Sequence, residues 1–361
     1  MRILFINKTR AGEYRPFDFK TFEGMRGAER TVLCLADALG RRGHDVVITC
    51  PGAGNATRAG NFTISDPPAA LSRDYDIAIS NNFAKAFDDL PGAPVKVVWT
   101  HNPGFVWSHI KADLLAKARH RPHLVHLSRY TLERSWYLPR SGQTIIRHGM
   151  PSELIAARQQ RSAPPPPVAV FSSYAGRNLS RVIRAWRDLV HPRVPAARLL
   201  VTSEVQPKHI GGASAADLAA GNIEIIGTQP WERLMALLRE ARVFIAPGHW
   251  QETFNLLSVE AAACGVPTVT MGIGALGERV QHDATGLIAT SEAGMGASIA
   301  RILHDDALWT RYHRACLKHP DLASWEQRAE EWERYLEDLC SSREGRYGAI
   351  DATAPARTST S

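Results

Sequence analysis

Pro247-Gly248-His249-Trp250-Gln251-Glu252-Thr253-Phe254-Asn255-Leu256-Leu257-Ser258-Val259-Glu260-Ala261-Ala262-Ala263-Cys264-Gly265-Val266-Pro267 reads as a loop that runs into a helix. The apolar stretch before it, 243–246, predicts a strand, and the chain from Asn255 predicts a helix stopping near Gly265. A second apolar stretch, 268–271, follows at once, and strand, loop, helix, strand is the unit of an α/β sheet. Glu252 then lies in the loop beyond a strand's carboxyl end, with Glu260 about two turns into the helix. Ligands of such sheets bind beyond those strand ends. Amides near Asn255 and Leu256 lack intrahelical partners and sit at the positive end of the helix dipole, which suits a phosphate.

The same alternation extends outward in both directions. Residues 168–171, 198–202, 223–226, 243–246 and 268–271 predict the strands of the second half, with helices between. In the first half the strands are expected at 2–6, 45–50, 76–80, 95–100, 124–128 and 144–147. Between the first two, residues 28–39 are apolar at helical spacing and stop at Gly40 and Gly43. Many of these strands are apolar throughout, as parallel sheets covered on both faces require. Ala163-Pro164-Pro165-Pro166-Pro167 continues neither helix nor central strand and reads as a semi-rigid linker.

The expected organisation is therefore a first Rossmann-like domain over 1–155, a linker over 156–167 and a second over 168–322. Trp325, Trp332, Tyr335 and Leu336 share one helical stripe, so 323–340 reads as a helix packing back toward the first domain. The small, polar stretch 341–361 reads as a mobile tail.

Composition excludes several classes. At 361 residues, 44% hydrophobic and 22% charged, the chain is long enough for two cores and is neither collagen-like nor wholly disordered. No apolar run approaches the roughly 18–20 residues that span a bilayer. The apolar opening Met1 to Asn7 is shorter than a secretory signal core of about 7–15 residues needs, and reads as a strand. Five scattered cysteines without a CxxC pair read as reduced thiols, so a cytoplasmic location is expected, with peripheral contact at the inner membrane face left open. A net charge of +7 favours an anionic partner without choosing one.

A carboxylate just ahead of a phosphate-binding helix start can hold sugar hydroxyls, and one further on can hold a ribose diol. In Glu252-Thr253-Phe254-Asn255-Leu256-Leu257-Ser258-Val259-Glu260, and in the following Ala-Ala-Ala-Cys-Gly-Val-Pro, the chain resembles the retaining nucleotide-sugar glycosyltransferases of family 4. Their hallmark is two glutamates with seven residues between. Gly27-Ala28-Glu29-Arg30 and Arg42-Gly43-His44-Asp45-Val46 look like that family's amino-terminal opening, although Arg26 stands where members carry a second glycine. The resemblance implies the GT-B fold, two doubly wound Rossmann-like domains facing each other across a cleft. It implies a nucleotide diphospho-sugar donor bound mainly by the second domain and an acceptor bound by the first.

Residue by residue, the resemblance makes Glu252 the holder of donor-sugar hydroxyls and Glu260 the holder of ribose. His101, at the end of 95–100, carries over as the histidine facing the transferred sugar. Arg177, in Phe171-Ser172-Ser173-Tyr174-Ala175-Gly176-Arg177-Asn178, fits the basic position on the departing diphosphate, with Ser172 and Ser173 as neighbouring hydroxyls. Gly27, Phe254, Asn255 and Leu256 complete the expected donor-binding set. Gly272-Ile273-Gly274-Ala275-Leu276-Gly277 matches GxGxxG but lacks a fitting acidic residue about 20 positions on, so it reads as a loop bordering the donor sugar. Arg147-His148-Gly149 replaces the family's usual Pro-Asn-Gly.

No cofactor and no metal are expected. His120, His123 and His126 have only loosely metal-like spacing and no acidic or cysteine partner nearby. Loop 9–25 suits acceptor recognition, and the acceptor is a sugar, a lipid-linked glycan or a natural-product scaffold. Nucleic-acid binding has no matching module. The basic stretch 108–121 reads as a helix packed on the sheet, with membrane contact as its alternative. A sugar-nucleotide epimerase, a phosphorylase or a non-catalytic sugar-nucleotide binder on the same fold remain open, as do the base, the sugar and the oligomeric state.

Overall fold

The computed structural model describes residues 1–6, 27–51, 56–90, 92, 95–103 and 107–351, without the side chains of 107–112 and 343–351. Loop 9–25, Arg26 and residues 352–361 lie outside that description.

The first half is an eight-stranded sheet of β1 (Arg2–Ile6), β2 (Asp45–Thr49), β3 (Thr57–Ala59), β4 (Phe62–Ser65), β5 (Ile77–Asn81), β6 (Val95–Thr100), β7 (His123–His126) and β8 (Gly142–Ile145), ordered β3-β4-β2-β1-β5-β6-β7-β8. All neighbours are parallel except the edge pair β3–β4. That edge pair, joined at Gly60-Asn61, has no expected counterpart, because Thr57–Ala59 has no large apolar residue and Phe62–Ser65 only two.

The second half is a parallel sheet of β9 (Val168–Phe171), β10 (Arg198–Val201), β11 (Ile223–Ile225), β12 (Val243–Ile245), β13 (Thr268–Thr270) and β14 (Gly286–Ile288), ordered β11-β10-β9-β12-β13-β14. In sequence terms this is the doubly wound order 3-2-1-4-5-6, whose ligand crevice opens where the winding reverses, between β9 and β12. In the first sheet the reversal falls between β1 and β5. The fold class is thus α/β, GT-B type.

The carboxyl-terminal helix runs from Trp325 to Asp351, and so through the first part of the stretch assigned to the tail. No proline interrupts it there, and Ser342 Oγ donates back to the Asp338 carbonyl at 2.7 Å. Its apolar stripe is buried with the first domain: Trp325, Ala329, Trp332 and Leu336 share one core with Ile3, Leu35, Val97 and Trp99. Trp332 meets Trp99 edge-on at 5.1 Å, and on the outer side Arg42 ion-pairs with Glu333, whose Oε1 also lies 2.9 Å from His44 Nε2. Met150 and Ser324 pair as a short parallel bridge where the chain crosses back.

The helix Trp107–His120 also packs on the first sheet, with Asp113, Ala116 and Lys117 buried and Leu115 80% exposed. Among the described residues no helix is long and apolar enough to cross a membrane.

Candidate active site in the interdomain cleft

Nine of the ten residues singled out from sequence line one cleft of about 520 Å³: Gly27, His101, Ser172, Ser173, Arg177, Glu252, Phe254, Asn255 and Leu256. Each sits at a strand's carboxyl end or a helix start. His101 directly follows β6, Ser172 and Ser173 follow β9, and Glu252 lies in the loop from β12 to the helix Leu256–Ala263. Residues from widely separated positions converge because parallel strands bring their carboxyl ends to one edge.

Arg177 Nη1 donates to Glu252 Oε1 at 2.7 Å, so the expected phosphate cation and the expected sugar carboxylate form one ion pair. Glu252 is buried, while Arg177 keeps about a third of its side chain exposed to the cleft. The Glu252 loop is held from below by the glycine-rich segment. Ala275 N donates to Glu252 O at 3.0 Å, and Gly248 bridges Ile273. Gly274 has φ +73°, and a Cβ there would stand 2.4 Å from His249 O and 2.9 Å from Glu252 Cβ. Its glycine therefore serves close backbone approach behind Glu252.

The helix start is shaped by Asn255, which adopts a left-handed φ of 65° and accepts the Ser258 amide on its side chain at 3.0 Å. The Leu256 and Leu257 amides open the helix at the cleft. They supply donors and partial positive charge where Arg177 supplies a full one.

His101 is buried, and burial pulls its pKa down to about 3, so its ring is neutral near neutral pH. Nδ1 meets Asn81 Oδ1 at 2.6 Å and Nε2 meets Thr31 Oγ1 at 3.1 Å. Thr253 Oγ1 donates to the His101 carbonyl at 2.7 Å, tying the Glu252 loop to the opposite domain.

Glu260 is the exception among the predicted residues. It is buried outside the residues lining the cleft, where Arg30 Nη2 donates to Oε1 at 2.5 Å and Trp231 Nε1 donates to the same oxygen at 2.9 Å. Neither partner carries a sequence signal pointing to Glu260, because both contacts are long-range.

Sequence reasoning also missed Thr31, Tyr174, Gln251 and His148, all of which line the cleft. His148 stacks on His101 with centroids 5.2 Å apart and planes 17° from parallel. Beneath Phe254, buried Arg279 places its guanidinium 4.7 Å from the ring and pairs with Asp321, which also takes Arg147 Nη1 at 2.7 Å. Glu278 reaches the first domain, accepting the Arg129 and Tyr130 amides at 3.1 and 2.6 Å. Beyond Tyr174 a second hollow of about 520 Å³ continues past Thr202, Ser203, Glu204 and His209. His120 and His126 turn to different partners, Asp88 and Thr100, rather than converging.

Comparison with known proteins agrees with this geometry. The family Glycosyl transferases group 1 matches residues 156–318, and Glycosyltransferase Family 4 matches residues 25–151. Glycogen synthase of Mycobacterium tuberculosis is 39% identical over 92 residues, covering 25% of this chain and 22% of the relative. D-inositol 3-phosphate glycosyltransferase of Segniliparus rotundus is 31% identical over 143 residues, 38% of this chain and 32% of the relative. The chain thus spans about a fifth to a third of the length of these curated relatives. Sucrose-phosphate synthase from Thermosynechococcus elongatus superposes with a TM-score of 0.74 at 16% identity, covering 95% of this chain and 100% of that one. HepE of Anabaena in complex with UDP gives 0.67 at 14% identity, covering 94% and 100%.

Proposed function

Because the chain belongs to the family 4 glycosyltransferases of GT-B fold, we propose that it transfers a sugar from a nucleotide diphospho-sugar to an acceptor hydroxyl, with retention and without a metal ion. The observation that carries this reading is the Arg177–Glu252 pair at 2.7 Å, set in a cleft that also holds a helix start and His101. The pair joins a cation for a departing diphosphate to a carboxylate for sugar hydroxyls.

In this reading the diphosphate lies between Arg177 and the Leu256 and Leu257 amides, with the Ser172 and Ser173 hydroxyls beside it. The nucleoside end extends past Tyr174 into the adjoining hollow. Glu252 accepts hydrogen bonds from the sugar and thereby fixes its anomeric carbon toward the first domain. Glu260 holds ribose, swinging from Arg30 or sharing its second oxygen. The leaving phosphate takes the proton of the acceptor hydroxyl as it attacks from the same face, so no side chain acts as covalent nucleophile. Catalysis then rests on positioning and on charges already in place.

HepE is a neighbour crystallised with UDP, which makes UDP-sugars the first donors to try. The acceptor is a sugar or a sugar-bearing lipid or natural product, approaching from the first domain.

The test is a thermal-shift and mass-spectrometric screen of UDP-, GDP-, ADP- and dTDP-glucose, each with and without EDTA. One donor that stabilises the chain and is slowly hydrolysed despite EDTA is the expected result. A donor saturating at about 100 times its Kd adds about 2.7 kcal/mol of stability, well within reach of the assay. NMR of the released sugar at early times reads its anomeric configuration, and inversion would overturn retention. Activity abolished by EDTA and restored by a divalent ion would overturn metal independence.

A further inference from the structure

Two imidazoles stack at the cleft, and only one of them has a nitrogen uncommitted among the described residues. His101 uses both, one toward Asn81 and one toward Thr31. His148 differs. Its Nδ1 is sealed with no hydrogen-bond partner, whereas Nε2 is neither sealed nor bonded among the described residues, and His148 lines the cleft.

The His148 ring is also held in place from both domains. It lies face to face with His101, edge-on to Phe254 at 4.9 Å, and tilted against Trp99 and Trp325 at 5.6 and 6.0 Å. Its backbone is pinned on either side. Arg147 is tied to Asp321, and Gly149 leaves room for Trp325, which a Cβ there would meet at 2.7 Å. Arg328 Nε donates to the His148 carbonyl at 3.3 Å. A side chain so braced is preoriented rather than recruited.

The sealed nitrogen decides the tautomer. A buried N–H without an acceptor is rarer and costlier than a buried lone pair without a donor. Burial, the neighbouring His101 and the positive charges of Arg328, Arg279 and Arg30 all keep this ring neutral, so it carries a single proton. The proton therefore belongs on Nε2, the nitrogen that is not sealed.

We propose that His148 reads the transferred sugar, its Nε2–H donating a hydrogen bond to one sugar hydroxyl and so contributing to the choice of donor. The assignment rests on the transferase reading above. It follows from place: His148 touches Phe254, two residues from Glu252, and it is the imidazole with an atom to offer. A neutral donor suits a neutral hydroxyl, and the contact is worth about threefold to tenfold in kcat/KM.

The experiment compares wild type with His148→Phe, which keeps an aromatic ring in the stack and removes both nitrogens. Each is assayed with the preferred glucose donor of the screen and with its 2-, 3-, 4- and 6-deoxy forms. In the wild type one deoxy donor is expected to lose about threefold to tenfold more than the others, and His148→Phe abolishes that selective loss. Because the comparison is made within each protein, a general loss of stability or turnover cancels. The same ranking of deoxy donors in both proteins would overturn the proposal.

A second measurement needs no variant. In histidine-15N spectra of the wild type, His148 is expected as the Nε2–H form, with Nε2 shifting when the donor is added. An Nδ1–H form, or no shift at a saturating donor, would overturn it. A wild-type chain that neither binds nor hydrolyses any donor overturns the transferase reading itself, a result distinct from active enzyme indifferent to His148.

Discussion

Arg30, in the first turns of the first domain's opening helix, holds Glu260 of the second domain at 2.5 Å, and Trp231 donates to the same carboxylate oxygen. The guanidinium also lies 5.1 Å from the Trp231 ring centre. The second glutamate of the motif is therefore kept by a cation from across the cleft. With Glu260 as the proposed holder of ribose, donor binding and the closeness of the two domains are linked.

Arg30→Ala leaves the Glu260 carboxylate buried with only an indole partner. Breaking one side of a buried pair costs about 3–5 kcal/mol, and the residual exposure of Arg30 together with the Trp231 bond puts the expected loss near the lower end. Urea unfolding checks it, and a loss below about 0.5 kcal/mol would show that the pair contributes no more than a surface one.

Arg177→Ala is expected to lower kcat by about 10²–10³, the range for removing one preorganised stabiliser of developing charge. Glu252→Ala should cost about 10–150-fold, as hydrogen bonds to a charged group are worth about 1.5–3 kcal/mol. Circular dichroism should show both variants folded. Turnover near wild type in Glu252→Ala would remove that residue from the site.

Gly274→Ala tests the support behind Glu252. The added methyl meets His249 O and Glu252 Cβ, and the left-handed backbone adds about 1–2 kcal/mol of strain. The expected outcome is weakened donor binding in calorimetry, and an affinity equal to wild type would show that this support does not shape the site.

Trp332→Ala should cost about 3–5 kcal/mol in chemical unfolding, because the ring is fully buried against Trp99 in the first domain's core. The carboxyl-terminal helix belongs to that core, so a chain cut before residue 323 is expected to be insoluble.

Acid should unfold the protein through its buried histidines. Burial holds His101 at about 3 and His126 at about 4 against an ordinary 6.5, and pushes His148 down as well. Between those values and about 6.5 the unfolded chain binds more protons, so stability is full above about 6.5 and falls as pH drops. The slope is about 1.4 kcal/mol per pH unit for each such group. Urea midpoints at about pH 7 and about pH 5 measure it, and His148→Phe should show a shallower slope than wild type. Equal slopes would mean that His148 is protonated in the folded state.

Much of the candidate site was legible because its parts are local. A strand, a loop bearing Glu252 and a helix opening at Asn255 announce themselves within about twenty residues, and a parallel sheet brings His101, Ser172 and Arg177 to the same edge. The hairpin β3–β4 and the strand β14 were not legible, since Thr57–Ala59 has no large apolar residue and Phe62–Ser65 and Gly286–Ile288 carry only two each. Arg147-His148-Gly149 could be read as a departure from the family pattern but not as a part of the cleft.

The sequence by itself determined the two α/β halves, the proline linker between them and the apolar stripe of the last helix. Periodicity and turn chemistry act over neighbouring residues and need no third dimension. Only the tertiary structure decided which charges meet. Arg30 finds Glu260 across 230 positions, Arg177 finds Glu252 across 75, and His148 stacks on His101 across the first sheet. Such pairings depend on distances of a few ångströms between elements packed from different parts of the chain, and no local pattern encodes them.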